Sequence, residues 1–273
     1  MGSQFSEFFQ RHERIFVLTG AGISAPSGIP VYRDAEGHWQ HSRPMEYNEF
    51  VSRPEARQRY WTRSAVGWQR FLPAQPNAAH RALARLESLN KISITVTQNV
   101  DGLHQKSGSK NVIELHGSLY TVSCIECGFQ QTRRDFQQHL LADNPVLDSL
   151  TAGIAPDGDA QVDQFDWQQI LVPDCLKCGG VVKPDVVFYG ENVPAERVQH
   201  CFDELSASDA LLVVGSSLMV FSGFRFVRAA HQQGIEIAAI NLGKTRGDEL
   251  INLKIERDCV QLLPELVRQI DEN

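Results

Sequence analysis

No apolar run in this 273-residue chain approaches the roughly 18 residues that a membrane-spanning helix requires. No secretory leader is expected either, since the first strand begins by Ile15. No mitochondrial transit peptide is expected, because the opening is short and carries Glu7 and Glu13, and a cytoplasmic protein is expected. Met1-Gly2-Ser3-Gln4-Phe5-Ser6 fits the myristoylation pattern, although so short a pattern recurs by accident. Positive charge is not in excess: 26 Lys+Arg stand against 33 Asp+Glu, a formal net charge of −7. That balance argues against a nucleic-acid surface and mildly for basic, lysine-bearing partners. Internal repeats and low-complexity tracts are absent, and a monomer is expected. Cysteine is sparse, at six residues. A chain of this length buries about three quarters of its unfolded surface and needs no staples to hold a core.

Short β-branched apolar runs alternate with helical patterns. Residues 15–19, 92–97, 112–113, 186–189, 210–214 and 235–240 read as strands, and 77–90, 194–207, 224–233 and 261–271 as helices. Continuous apolar strands separated by helices imply an α/β fold with a doubly wound parallel sheet. Two excursions interrupt it. Residues 45–75 form a helical insertion rich in arginine and aromatics, and 117–185 carry a smaller module. The sheet domain is then expected to comprise 1–44, 76–116 and 186–273.

The strand at 15–19 runs into Gly20-Ala21-Gly22-Ile23-Ser24-Ala25, which fits G-x-G-x-x-A. The first glycine permits a tight turn and the second a close approach to a pyrophosphate; the alanine lets the helix pack against the strand. The ribose-binding acid expected about 20 residues later is not evident, and Pro26 and Pro30 shorten the helix, so this is not an ordinary dehydrogenase half. Residues 26–44 form a long loop carrying Tyr32-Arg33-Asp34, placed as a lid would be. Gln98-Asn99-Val100-Asp101 and Glu114-Leu115-His116-Gly117 each end a strand. Ligands in open α/β sheets bind outside the carboxyl ends of strands, so an amide, a carboxylate and an imidazole are directed to one crevice.

Cys124/Cys127 and Cys175/Cys178 are two C-x-x-C pairs with 47 residues between them. Each pair makes a knuckle presenting two thiolates, and four thiolates close a structural zinc site. The spacing exceeds that of a plain zinc ribbon, so 136–172 is an insertion whose acidic tip, 155–159, is either a solvated loop or a lid. Cys201 reads as a buried thiol.

The ordered set of Gly20–Ser24, Gly28-Ile29-Pro30-x-Tyr32-Arg33, Gln98–Asp101, Leu115–Gly117, the two cysteine pairs, Lys183–Glu191, Gly215–Leu218 and Ile240-Asn241 resembles the sirtuin family of NAD-dependent protein deacylases. Lys183-Pro184-Asp185-Val186-Val187, the long insertion and Arg57-Gln58-Arg59-Tyr60-Trp61 resemble its class II, mitochondrial-type branch, in a bacterial version without a leader. Val31 departs from the acid that many members carry there, which puts the loop's hydrogen bonding in doubt.

The resemblance implies that Gly20, Ala21, Gly22 and Ser24 cradle the pyrophosphate of NAD, with Tyr32 and Arg33 on the cofactor loop. Gln98, Asn99, Val100 and Asp101 would hold nicotinamide and its ribose. Gly215, Ser216, Ser217, Asn241, Leu242, Gly243 and Cys259 would hold the adenosine end, Cys259 through its backbone. Val186, Phe188, Gly190 and Glu191 on one side and Leu218, Met219 and Val220 on the other would clamp an acylated-lysine peptide as an added strand. The acyl oxygen would attack the nicotinamide ribose, and His116, neutral near pH 7, would serve as general base with Asn99 and Asp101 beside it. The products would be nicotinamide, O-acyl-ADP-ribose and free lysine. Tyr60 and Arg63, one helical turn apart, either read a carboxylate on the acyl chain or are a packed tyrosine and a surface arginine. ADP-ribosyl transfer to protein, lipoyl- or biotinyl-lysine cleavage, and a non-catalytic NAD-sensing scaffold remain as alternatives.

Overall fold

A computed structural model describes residues 2–32, 34, 36, 38, 44–150, 160 and 165–272. The described strands are, in chain order, β1 (Ile15–Thr19), β2 (Ile92–Thr97), β3 (Val112–Glu114), β4 (Gly117–Cys124), β5 (Gln130–Thr132), β6 (Val182–Val186), β7 (Ala210–Val214), β8 (Glu236–Ile240) and β9 (Leu253–Ile255). The helices are α1 (Gly2–Arg11), α2 (Ala21–Ser24), α3 (Tyr47–Ser52), α4 (Pro54–Phe71), α5 (Ala78–Ser88), α6 (Leu103–Lys106), α7 (Arg133–Asp143), α8 (Ala195–Ser206), α9 (Phe221–Gln232) and α10 (Cys259–Asp271). The chain divides into two units, residues 1–40, 75–115 and 193–273 in the first and 41–74 and 116–192 in the second.

The first unit is built on a six-stranded sheet in the order β3-β2-β1-β7-β8-β9, with every pairing parallel. Its central strands β1 and β7 are almost wholly apolar because helices cover both faces. Ile15 and Val17 join one buried cluster with Leu83, Leu86, Leu262 and Leu263, while Phe16 and Leu18 join another with Leu205, Phe226 and Val227. That split is the period-2 alternation of a strand with a core on each side. The strand order reverses between β1 and β7. The crevice at such a reversal is where open α/β sheets bind ligands.

Two elements of this unit escape the sequence pattern. Helix α1 folds its Phe5, Phe8 and Phe9 into the first cluster, each no more than 1% exposed, at i, i+3 and i+4. Strand β9 is three residues long and pairs with β8 at the sheet edge.

Beneath the crevice lies a buried polar chain. Asn77 caps α5, accepting from Ala79 N at 2.9 Å and His80 N at 3.4 Å, and donates to Ile23 O at 2.7 Å. The His80 ring packs edge-on against His104, with centroids 4.9 Å apart. His104 Nε2 meets Thr19 Oγ1 at 2.9 Å, and Thr19 Oγ1 donates to Thr97 Oγ1 at 2.8 Å. Burial pushes the pKa of His80 down to about 4 and that of His104 to about 3; Arg81 adds to the first and His80 to the second. Both folded values lie below the unfolded 6.5, so the unfolded chain binds protons that the native one refuses. Their contribution is therefore full above pH 6.5 and is lost as pH falls through 6.5 towards 4. Melting followed from pH 7 to 4 should drop more steeply for the native chain than for His104→Gln; parallel curves would refute this assignment.

In the second unit, three strands form an antiparallel sheet in the order β5-β4-β6. Here the sequence reading needs correction. Residues 186–189 do not return to the parallel sheet as a strand: β6 spans Val182–Val186 and pairs with β4, opposing Val122 to Pro184. Pro184 is tolerated because β6 is an edge strand. Residues 187–192 stay with this unit. The helical insertion and the cysteine-bearing module also pack together as one body. Trp61 of α4 meets Phe136 of α7 at 4.4 Å, and the Arg133 guanidinium, 1% exposed, lies 5.2 and 5.1 Å from the rings of Trp61 and Trp68. Arg133 also donates to Gln137 Oε1 at 2.6 Å.

Candidate active site

Three loops meet at the carboxyl ends of β1, β2 and β7. Gly20 N donates to Val214 O at 3.1 Å, Gly22 N to Gly215 O at 2.8 Å, and Gln98 N to Thr19 O at 3.0 Å. The approach is so close that it requires glycine. A Cβ on Gly22 would stand 2.8 Å from Gly215 O, and one on Gly215, whose φ is +60°, would stand 2.4 Å from Ile23 N. These glycines keep a backbone-lined cradle free of side chains, which suits a pyrophosphate.

Side chains lock the loops together. Ser24, 1% exposed, accepts from Asn99 Nδ2 at 3.0 Å and donates to Asp101 Oδ2 at 2.6 Å. Asn99 Nδ2 also donates to Gly20 O at 3.0 Å, and its own N–H donates to Thr97 Oγ1 at 3.1 Å. Burial pushes Asp101 above the usual carboxylate range, against the pull of hydrogen bonds from Ser24 and Leu103 N–H. Gln98 Nε2 donates to Ser216 Oγ at 2.7 Å, and Ser216 Oγ also accepts from Leu218 N at 3.2 Å. Ala21 and Gly22 open α2 half-buried, and Val100 is half-buried between Asn99 and Asp101.

The adenosine-end candidates fall in the same unit. Asn241, 9% exposed, follows β8 and donates to Leu242 O at 3.1 Å; Leu242 is 62% exposed. Gly243 is half-buried with φ +84°. Ser217 O accepts from Arg246 N at 2.9 Å. Cys259 opens α10, capped by Asp258, and burial together with Asp258 pushes its thiol up to about 12. Cys201 is fully buried and burial pushes it up to about 12 as well, as expected of an inert thiol. Leu218 holds φ +58° while 1% exposed, a left-handed conformation costly for leucine and typical of functional loops. Val220 precedes α9. Arg33 and the tip at 155–159 lie outside the described residues; Tyr32 is half-buried.

His116 opens the second unit, half-buried. The backbone on either side of it is fixed. Leu115 N donates to Thr97 O at 2.8 Å, and His116 O accepts from Val187 N at 2.8 Å. Gly117 follows with φ +81°, and a Cβ there would overlap Asp185 O. Downstream, Glu191 Oε2 accepts from Phe188 N at 2.8 Å and from Lys183 Nζ at 3.1 Å, so that Lys183, which the sequence reading left without a role, shapes the 183–191 loop. Gly190 is exposed with φ +78°, and Val186 and Phe188 are buried. Phe188 packs against Phe50 and Tyr60, each at 5.2 Å. Tyr60, 3% exposed, is therefore a packed ring, and Arg63 Nε donates to Ala160 O at 3.1 Å.

The four cysteines converge. Their sulfurs all lie within 4.8 Å of one another, with Cys124–Cys178 at 3.5 Å and Cys127–Cys175 at 3.7 Å. A tetrahedral ion with sulfur at about 2.3 Å has edges of about 3.8 Å. Each knuckle is followed by a glycine of positive φ, Gly128 at +70° and Gly179 at +72°, whose N–H closes the turn onto the first cysteine's carbonyl. The cluster is positioned to bind one structural zinc.

Known proteins share this arrangement. The Sir2 family model matches residues 20–222. An NAD-dependent protein deacetylase of Xanthomonas campestris pv. campestris (strain 8004) is 53% identical over 270 residues, 99% of this chain and 92% of its own. One from Bordetella bronchiseptica is 52% identical over 95% of each chain. Among solved structures, a Sir2–p53 peptide–NAD+ complex matches with a TM-score of 0.78 at 29% identity over the full length of both chains. Sir2Tm bound to a propionylated peptide matches at 0.77 and 29%, covering 99% of each. Loops, cysteine cluster and relatives agree, and the chain belongs to the Sir2 family.

Proposed function

We propose that the protein is an NAD-dependent protein-lysine deacylase. The observation that carries this reading is the buried network joining Ser24, Asn99 and Asp101 beneath a glycine cradle at the strand-order reversal. NAD, when bound, supplies the ribose carbon that takes the acyl oxygen and releases nicotinamide. Gly20, Gly22 and Gly215 leave room for its phosphates, and Ser216 with Asn241 lines the adenosine end. Asn99 and Asp101 orient the nicotinamide ribose, both held by Ser24. His116 accepts the proton of a ribose hydroxyl. Leu218–Val220 receives the acylated peptide by strand addition.

The finer placement in the class II branch rests on Arg57–Trp61, Lys183–Val187 and the long insertion. With it goes a preference for acidic or bulky acyl groups, read by Arg63, half-buried and tied to Ala160. The protein acts as a cytoplasmic monomer; among the described residues no helix is long and apolar enough to cross a membrane.

A panel of acyl-lysine peptides with NAD, read as nicotinamide and O-acyl-ADP-ribose, tests both levels. Turnover is expected, with succinyl or glutaryl groups removed faster than acetyl. Arg63→Ala should cost the acidic acyl groups about tenfold or more in kcat/KM, as loss of a charged hydrogen bond does, and leave acetyl nearly unchanged. Acetyl removal as fast as desuccinylation, and indifferent to Arg63, would refute the acyl assignment. ADP-ribosylated protein formed without any acyl substrate would move the function to transfer.

A further inference from the structure

Helix α9 carries Phe221, Arg225 and Arg228 at i, i+4 and i+7, on one face. Phe221 is 47% exposed, yet three guanidinium groups surround it: Arg225 at 5.3 Å from the ring centre, Arg228 at 5.9 Å and Arg246 at 5.9 Å. Arg246 also stands 4.7 Å from the Phe224 ring. None of the three arginines forms an ion pair among the described residues. Asp248, two residues from Arg246, is held by Thr245 and Lys254. Arg225 Nε is buried with no hydrogen-bond partner.

Three like charges gathered on one ring repel one another, and a chain of net charge −7 had acids available to neutralise them. The patch is also joined to the loop that precedes α9. Arg246 N donates to Ser217 O at 2.9 Å, and Arg246 Nη1 to Met219 O at 3.3 Å. Phe221 follows Val220 directly.

We propose that Arg225, Arg228, Arg246 and Phe221 form a subsite that selects substrate peptides with Asp or Glu near the acyl-lysine. The inference rests on the deacylase reading, in which Leu218–Val220 is one edge of the peptide clamp. A strand added there advances about 3.3 Å per residue, so side chains within about four residues of the lysine pass the patch on one side. Guanidinium forks suit carboxylates, and the Phe221 ring offers apolar cover for the methylenes of glutamate. Exposed charge pairs of this kind act on encounter and binding, not on the chemical step.

The test uses one acyl-lysine peptide flanked by Glu, Gln or Lys at the second to fourth positions, on either side, with the intact zinc-loaded protein. KM from nicotinamide release and affinity from the anisotropy of labelled peptides are both measured. The Glu-flanked peptide should show KM and dissociation constant about three- to tenfold below those of the Gln-flanked one, with kcat unchanged. The advantage should fade as ionic strength rises. Arg228→Glu should abolish or invert it and leave kcat on the Gln-flanked peptide intact, while Arg228→Gln should fall between. Equal affinity for Glu- and Gln-flanked peptides, or a preference that survives Arg228→Glu unchanged, would overturn the subsite. Absent turnover with the affinity difference preserved would overturn the deacylase reading and leave the acidic-peptide subsite standing.

Discussion

Stripping zinc from the native protein with a strong chelator at neutral pH should unfold the second unit. The expectation follows from magnitudes. Structural zinc bound by four thiolates contributes about 10–16 kcal/mol in small modules, as much as the whole stability of an ordinary domain, about 5–15 kcal/mol. The module has little else to close it. β5 is three residues long, both knuckles are turns, and Cys127 and Cys178 are exposed. Apolar support comes from the α4–α7 contact around Trp61 and Phe136 and from buried Leu119, Val122 and Leu140. Cys124→Ser should act like the chelator, because Cys124 ends β4 and ties the sheet directly to the cluster. Circular dichroism and metal analysis of chelated, reconstituted and Cys124→Ser protein decide the matter. A chelated protein with unchanged melting, or a native one that carries no stoichiometric zinc, would show that the cluster is not what holds the unit.

Replacing His116 should lower kcat by about 10²- to 10⁴-fold, the usual worth of a positioned general base, while NAD affinity changes little. Leu115 is bonded to β2 and His116 to Val187, and Gly117 must adopt a conformation and proximity that only glycine allows. The chain is therefore fixed on both sides of a histidine whose own side chain is only half-buried. His116→Ala keeps those backbone bonds. It should melt like the native protein, retain NAD binding in the Ser24–Asn99–Asp101 network, and fail to form O-acyl-ADP-ribose. Turnover within about threefold of native would assign the base elsewhere.

Strands β1 and β7 of the first unit were legible because each is an apolar run that two helical layers must cover, as Ile15–Leu18 and Leu211–Val214 show, whereas β9, three residues with Lys254 at its centre, offered no such run. Strand β6 was misplaced because Lys183-Pro184-Asp185 has low strand propensity, whereas the apolar Val186–Phe188 that follows looks more like one. Helix α1 was read past because its phenylalanines sit among polar residues at the chain start. In the candidate site, residue types were legible at strand ends: Gly20, Asn99, Asp101, His116 and Gly215 stand where a turn or ligand needs them. Their partners were not. Ser216 meets Gln98, and His104 meets Thr19, only because β1 lies between β2 and β7, a tertiary pairing that no local spacing encodes.

The aromatic surroundings of Arg133 have a spectroscopic consequence. Trp61, Trp68 and Trp167 all belong to the second unit, and the one other tryptophan of the sequence, Trp39, falls within the first unit's range but outside the described residues. Two of them flank a buried guanidinium, an environment lost once α7 detaches. The first unit's sheet and helices contain none. Intrinsic tryptophan emission is thus weighted three to one towards the zinc-bearing half, and far-ultraviolet dichroism, weighted by the helices of the other half, supplies the complementary channel. Recorded together during denaturation, the two signals measure whether the halves melt cooperatively or in sequence, with no label attached.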